Sequence, residues 1–329
     1  MGGKINCLLN PKHRVYDAVR HVLGKICKDL GWEYSDLSKY NKGRGLRLKT
    51  RNMQYFQMKE KKDELYVLLS PLVSINAPII AVKGIPAFFV EEYNINNDFR
   101  DTGVSLIHKI YQKYPFLSLN KHTHEFLRSN KVKSFLVPPA QPKKEPGKKR
   151  DVILSLGRIG DAYKNPGLFL DIAEKMPDET FVMLGGKRYK TNPKIEKRAK
   201  DLANVTLHTE LIPEKKLEEY WKRAKLLVHT ARKEPVAAVI PEALGASVPV
   251  LASKNTGASS YLPGNWVMDN FDRDSWIARA KEMLNEQKEN ERKASEVFMD
   301  EHLWIEDGYF DDLAEELEDE ISKNWPGLV

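Results

Sequence analysis

From Val152 to Glu286 the sequence alternates short uncharged aliphatic runs with longer charged segments of helical spacing. This alternation limits the fold more than any other feature. Strands are expected at Val152–Leu156, Thr180–Leu184, Val205–His208, Leu226–His229, Val248–Ala252 and Trp266–Met268. Helices are expected over Asn165–Met176, over a charged stretch ending near Leu202, and over Pro213–Ala224, Ala238–Ala246 and Asp272–Glu286. Strands that are apolar along their whole length must be covered on both faces, which implies a parallel sheet between two layers of helices. The first half has the same character. Strands are expected at Lys4–Leu9, Leu65–Leu69, Ile79–Val82, Ala87–Val90, Phe116–Leu119 and Ser134–Val137. Helices are expected over Val15–Leu30, Thr102–Tyr114 and Lys121–Asn130. The expectation is an α/β chain of two doubly wound, Rossmann-like domains facing across a cleft. Open parallel sheets take ligands outside the carboxyl ends of their strands.

A chain of 329 residues is long enough for two such domains. The run Pro142–Arg150, rich in Pro, Gly and charge, marks the boundary. The expected domains are 1–148, 149–303, and an acidic C-terminal helix, 304–329, packing back on the first domain. Charge divides at the same place. Residues 1–150 hold 28 Lys/Arg against 13 Asp/Glu, and residues 151–329 hold 25 against 33. A basic first half suits a polyanionic partner. The two cysteines, Cys7 and Cys27, cannot build a disulfide framework or a four-ligand zinc site, so a reducing compartment is expected. No secretory h-region is visible, and Asn6 stands where a myristoylation signal needs Ser or Thr. Leu65–Val82 is uncharged for 18 residues. Its two prolines, Pro71 and Pro78, favour two strands joined by a loop over a spanning helix.

Three constellations fall at strand ends in the second half. The first runs from Gly157 to Lys164. A glycine directly after a strand lets the chain turn and a ligand approach, and Arg158 and Lys164 bring a planar fork and a point charge suited to phosphate oxygens. A solvated loop explains these residues as well. The second is Glu234-x7-Glu242. Its two carboxylates flank a turn into a helix, where the amides of Ala237, Ala238 and Val239 form a ready anion site. Fixed acceptors on both sides of an anion site suit a nucleotide sugar, with hydroxyls on each side of a diphosphate. Exposed loop and helix residues are the alternative. The third is the Gly/Ser-rich turn Asn255–Ser260, whose amides could also face a phosphate.

Together, Gly157-Arg158 with Lys164, the Glu-x7-Glu pair, and Gly245-x-x-Val248-Pro249-Val250 resemble the C-terminal half of GT-B-fold glycosyltransferases of the family 4 type. The resemblance covers about residues 151–290. It implies that Arg158 and Lys164 hold the donor diphosphate, that Glu234 contacts the donor sugar, and that Glu242 bonds the ribose. It places Thr209 and Leu211 near the base. It also implies a retaining hexosyltransferase that needs no metal or other cofactor. The sequence departs from the family in three places. Pro235-Val236-Ala237 replaces Gly-Phe-Gly, Asn10–His13 replaces a Gly-rich loop, and Glu91-Glu92 stands where a His is common. A non-catalytic donor-binding module and a sugar-nucleotide epimerase on the same fold remain open as alternatives.

Two other motifs have structural readings. Asp272-Arg273-Asp274 is expected to cap a helix. His122-Thr123-His124-Glu125 lacks a third metal ligand at suitable spacing, although Asn120 or His122 could face the cleft. The segment Lys39–Lys62 carries nine Lys/Arg and one acid among apolar residues. It is read as a solvated loop or as a contact for an anionic membrane surface, with an acceptor that could be lipid-linked. No nucleic-acid module is recognisable. The expected location is cytoplasmic, with peripheral membrane attachment open.

Overall fold

A computed structural model describes residues 3–7, 9, 14–36, 64–69, 86–91, 112, 114–185 and 192–329. The chain divides into two compact units, Met1–Ala140 with Ile305–Val329, and Gln141–Trp304.

The first unit contains β1 (Lys4–Cys7), α1 (Asp17–Asp29), β2 (Glu33–Asp36), β3 (Glu64–Leu69), β4 (Ala87–Glu91), β5 (Phe116–Ser118), α2 (Lys121–Ser129) and β6 (Ser134–Leu136). All pairings are parallel, in the order β2-β1-β3-β4-β5-β6. This is a doubly wound order of the 2-1-3-4-5 kind. Helix α1 buries Ala18, Val19, Val22, Leu23, Ile26 and Cys27, a stripe at three- and four-residue spacing that covers the sheet. Asn120 opens α2 by accepting a hydrogen bond from the Thr123 amide at 2.9 Å. Strand β2 was not expected, because Glu-Tyr-Ser-Asp carries no aliphatic run; it forms by pairing its backbone with β1.

The second unit contains β7 (Val152–Leu156), α3 (Pro166–Glu174), β8 (Thr180–Leu184), α4 (Pro193–Asp201), β9 (Val205–His208), α5 (Glu214–Arg223), β10 (Ala224–His229), α6 (Val239–Gly245), β11 (Val250–Ser253), β12 (Val267–Met268), α7 (Arg273–Asn285) and α8 (Gln287–Asp300). Its parallel order is β12-β11-β10-β7-β8-β9. The chain starts in the middle, winds to β9 on one side, then returns and winds outward from β10. The reversal lies between β7 and β10, and such a switch point is where doubly wound sheets leave a crevice for a ligand. Ile153, Leu154, Leu227, Val228, Leu251 and Ala252 are fully buried, which accounts for the uninterrupted apolar strands.

The run Pro142–Arg150 is part of this second unit and not a free linker. The Lys144 amide donates to the Gly245 carbonyl at 2.8 Å. A Cβ at Gly147 would lie 1.7 Å from the Lys222 carbonyl oxygen, so only glycine fits there. The buried Arg150 guanidinium donates to the carbonyls of Ala224 and Ala246, each at 2.8 Å. Gln141 pairs with Trp304, which brings the two ends of the unit together.

After Trp304 the chain belongs to the first unit again. Helix α9 (Tyr309–Asn324) packs on α1 there, with Phe310, Leu313, Ala314, Leu317 and Ile321 buried. Lys25 pairs with Asp311 at 3.0 Å, and Tyr309 Oη donates to the Leu136 carbonyl at 2.7 Å. Among the described residues no helix is long and apolar enough to cross a membrane. The expectations at Asn10–His13, Lys39–Lys62, Ile79–Val82 and Glu92, and nearly all of Thr102–Tyr114, lie outside the described residues.

Candidate functional site

The loops that leave β7 and β10 line the crevice at the switch point. Gly157 leaves β7 with its amide bonded to the Leu184 carbonyl at 3.0 Å. The loop then closes over Gly185. A Cβ on Gly185 would sit 2.3 Å from two side-chain carbons of Ile159 and 2.9 Å from the Gly157 carbonyl oxygen. Glycine at the end of β8 is therefore what lets this loop lie flat against the sheet.

Arg158 stands on that loop with its side chain 47% exposed and its guanidinium 2.8 Å from Asp161 Oδ2. The other Asp161 oxygen accepts from the Tyr163 amide at 3.0 Å, which caps a 3-10 turn over Ala162–Lys164. Asn165 comes next in the left-handed conformation, and Pro166 opens α3 at its first turn. From β10, Thr230 Oγ1 donates to the carbonyls of Lys164 and Asn165, at 3.1 and 2.9 Å. The Arg232 amide donates to the Tyr163 carbonyl at 2.6 Å. The two loops are thus bonded to each other around Lys164.

The Lys164 ammonium contacts the Glu234 carboxylate, and both side chains are largely buried. Burial first, then the nearby Arg158 charge, push Lys164 down to about 8, while Asp161 opposes the shift. Lys164 therefore remains mostly a cation at neutral pH. Glu234 is itself fixed by the turn after β11. Its amide donates to the Asn255 carbonyl at 3.1 Å, and its carbonyl accepts from Gly257 at 2.9 Å. The bridge between Glu234 and Thr256 completes this clamp.

Beyond Glu234 the chain passes through Ala237 at φ 61°, a left-handed value that costs a residue with a Cβ about 1–2 kcal/mol. Ala237 is the third residue of Pro235-Val236-Ala237, the stretch that departs from the Gly-Phe-Gly of the resemblance. The amides of Ala237, Ala238 and Val239 lie at the entry to α6, as expected. With only seven residues, α6 has a short dipole. Glu242 lies in the first turn of α6 and is buried.

The structure brings Gly157, Arg158, Lys164 and Glu234 together, with Ala237–Val239 and Glu242 next along the same loop and helix. Thr209 and Leu211 stand apart, after the edge strand β9, and Leu211 is 84% exposed. Asn165 and His229, at the same strand ends, were missed, while Thr256 lies in the Asn255–Ser260 turn singled out from the sequence; each has a buried polar atom that makes no hydrogen bond among the described residues. His229 had only one signal in the sequence, a polar residue closing an aliphatic strand.

The other two motifs have structural partners. Asp272 caps α7, accepting from the Ser275 amide at 2.8 Å. His124 Nδ1 lies 3.0 Å from Ser134 Oγ, which in turn is 2.8 Å from Ser118 Oγ.

Residues 138–297 match the family model of glycosyl transferases group 1. No curated protein matches the sequence. Solved structures match over nearly the whole chain. Sucrose-phosphate synthase from Thermosynechococcus elongatus is 13% identical with a TM-score of 0.71, covering 99% of this chain and 100% of that one. Anabaena HepE in complex with UDP-glucose is 10% identical with a TM-score of 0.70, covering 97% and 100%. A glycosyltransferase from Rickettsia africae is 12% identical with a TM-score of 0.67, covering 98% and 99%. At these identities the likeness concerns the fold. The chain has the GT-B α/β architecture, and the match to the glycosyl transferases group 1 model falls almost wholly on its second unit.

Proposed function

We propose that the protein transfers a hexose from a nucleotide-diphosphate sugar to an acceptor hydroxyl, with retention at the anomeric carbon and without a metal. The observation that carries this reading is the Lys164–Glu234 pair beside Arg158, at the switch point of a group 1 domain. In the reaction the bond from the anomeric carbon to the diphosphate oxygen breaks, and a bond to the acceptor oxygen forms. Negative charge builds on the departing nucleoside diphosphate. Arg158 and Lys164 stabilise that charge, and its phosphate oxygen takes the proton from the acceptor hydroxyl. Glu234 accepts hydrogen bonds from the sugar, Glu242 from the ribose, and the loop at Thr209 and Leu211 borders the base. The amides of Ala237, Ala238 and Val239 supplement the two cations.

Donor entry in this reading is an exchange of partners at Lys164. The Glu234 carboxylate already occupies the ammonium as a stand-in anion, so the diphosphate must take Lys164 from it. The carboxylate released by that exchange is then available to the sugar hydroxyls.

A lipid-linked acceptor at an anionic membrane surface on the cytoplasmic side suits the basic run Lys39–Lys62 in this reading. The test is incubation with UDP-, GDP- and ADP-sugars, measuring released nucleoside diphosphate. Release with at least one donor supports transfer. Binding of a donor with no release in the presence of lipid-linked and soluble acceptors points to a non-catalytic module instead.

A further inference from the structure

The carboxyl ends of three adjacent strands carry polar atoms that the described protein does not satisfy. His229 closes β10, Asn165 ends the loop from β7, and Thr256 lies just past β11. His229 Nε2, Asn165 Nδ2 and Thr256 Oγ1 are buried, and none makes a hydrogen bond among the described residues. His229 is 3% exposed and Thr256 fully buried. A buried polar atom left unpaired costs about 1–3 kcal/mol, so a bound group that pairs with these three atoms at one sheet edge is favoured.

Asn165 and Thr256 adjoin the Lys164–Glu234 pair, and His229 closes β10 at the same sheet edge. Asn165 is next to Lys164 in sequence, and its carbonyl is held by Thr230, the neighbour of His229. Thr256 bridges to Glu234. Burial, and second to it the positive charge of Lys164, push the His229 imidazole down to about 3. His229 is therefore neutral at physiological pH, with one ring N–H to donate and no charge of its own.

We propose that His229 is a third, uncharged phosphate contact of this site, its Nε2–H donating to the phosphate group that Lys164 holds. The assignment rests on the nucleotide-diphosphate reading above. A neutral donor has a distinct use beside two cations. It adds a directed hydrogen bond without raising the repulsion that already depresses Lys164. Asn165 Nδ2 and Thr256 Oγ1 complete the polar lining on either side.

The test is titration calorimetry of the full chain with UDP, GDP and ADP, and with the matching nucleotide sugar, on the wild type and on His229→Phe. The expected result is a loss of about ten- to a hundredfold, the range for a hydrogen bond to a charged group. The loss should be equal for nucleoside diphosphate and nucleotide sugar, with the melting temperature of the unliganded protein kept. Undiminished nucleoside-diphosphate affinity in His229→Phe overturns the assignment while leaving the donor reading intact, and so does a loss confined to the sugar-bearing ligand. A wild type that binds none of these nucleotides overturns both. If His229→Phe does not fold, a crystal structure of the wild type with its bound nucleoside diphosphate decides. A phosphate oxygen within hydrogen-bond distance of Nε2 supports the proposal. A buried water there, with no ligand contact, overturns it.

Discussion

Replacing Glu234 by Gln should strengthen the binding of free nucleoside diphosphate while weakening turnover of the nucleotide sugar. In the unliganded protein the Glu234 carboxylate contacts Lys164, with side-chain exposures of 18% and 15%. Two unit charges about 4 Å apart attract by about 4 kcal/mol at an effective dielectric of 20, before desolvation is subtracted. The net strength of a hydrogen bond to a charged group is smaller, about 1.5–3 kcal/mol. A diphosphate approaching Lys164 must displace that contact and meets a like charge besides. Gln keeps a weaker hydrogen bond to Lys164 and removes the charge. The difference is about 1–2 kcal/mol in favour of the ligand, a tightening of about five- to thirtyfold. The sugar loses an ionised acceptor, so kcat with the nucleotide sugar should fall by about tenfold or more. Titration calorimetry with the nucleoside diphosphate, alongside steady-state rates, reads both effects. Unchanged or weaker binding of the free nucleoside diphosphate would refute the exchange of partners at Lys164.

Three further outcomes are expected. Because Lys164 is held down to about 8 in the free protein and is raised by a bound anion, nucleotide affinity should be level below pH 8. Above it, affinity should fall by up to about tenfold per pH unit until the bound-state value is passed, as calorimetry across about pH 7–10 would show. Gly185→Ala should destabilise the protein by about 1–3 kcal/mol and lower nucleotide affinity with it, since the added methyl drives into Ile159 and the Gly157 carbonyl; denaturant melts and titrations check this. Co-sedimentation with anionic but not neutral vesicles, reversed by salt and weakened by changing Arg44, Arg47, Lys49 and Arg51 to Ser, would support a membrane surface, whereas no sedimentation at low salt would remove it.

Legibility in the sequence followed the strength of the local signal. Strands β8 and β9 end where they were expected, because charge and turn residues bracket short aliphatic runs. Strand β2 was invisible, since its polar residues join the sheet only through backbone pairing with β1. Helix α8 was also missed; only Asn290, Ala294 and Phe298 along it are buried, too thin a stripe to stand out among its charges. That Arg158, Lys164 and Glu234 fall on loops after β7 and β10, and Glu242 on the helix that follows, was legible from spacing. The contact between Lys164 and Glu234 was not, because it depends on β10 lying beside β7. His229 was hidden for a related reason. Only three-dimensional neighbours show that its Nε2 makes no hydrogen bond among the described residues. Pro142–Arg150 had the composition of a linker, yet Gly147 and Arg150 owe their identity to tight packing against Lys222, Ala224 and Ala246.

The measurement closest to the central claim is nucleoside-diphosphate affinity in Arg158→Ala and Lys164→Ala, with folding checked by circular dichroism. Arg158 is about half exposed and Lys164 lies in a loop turn beyond the end of β7, so both variants should fold. If the two cations hold the donor diphosphate, each variant loses about ten- to a hundredfold in affinity, and donor turnover drops by about 10²–10³. Wild-type affinity and turnover in both variants would contradict the placement of the phosphates at the ends of β7 and β10.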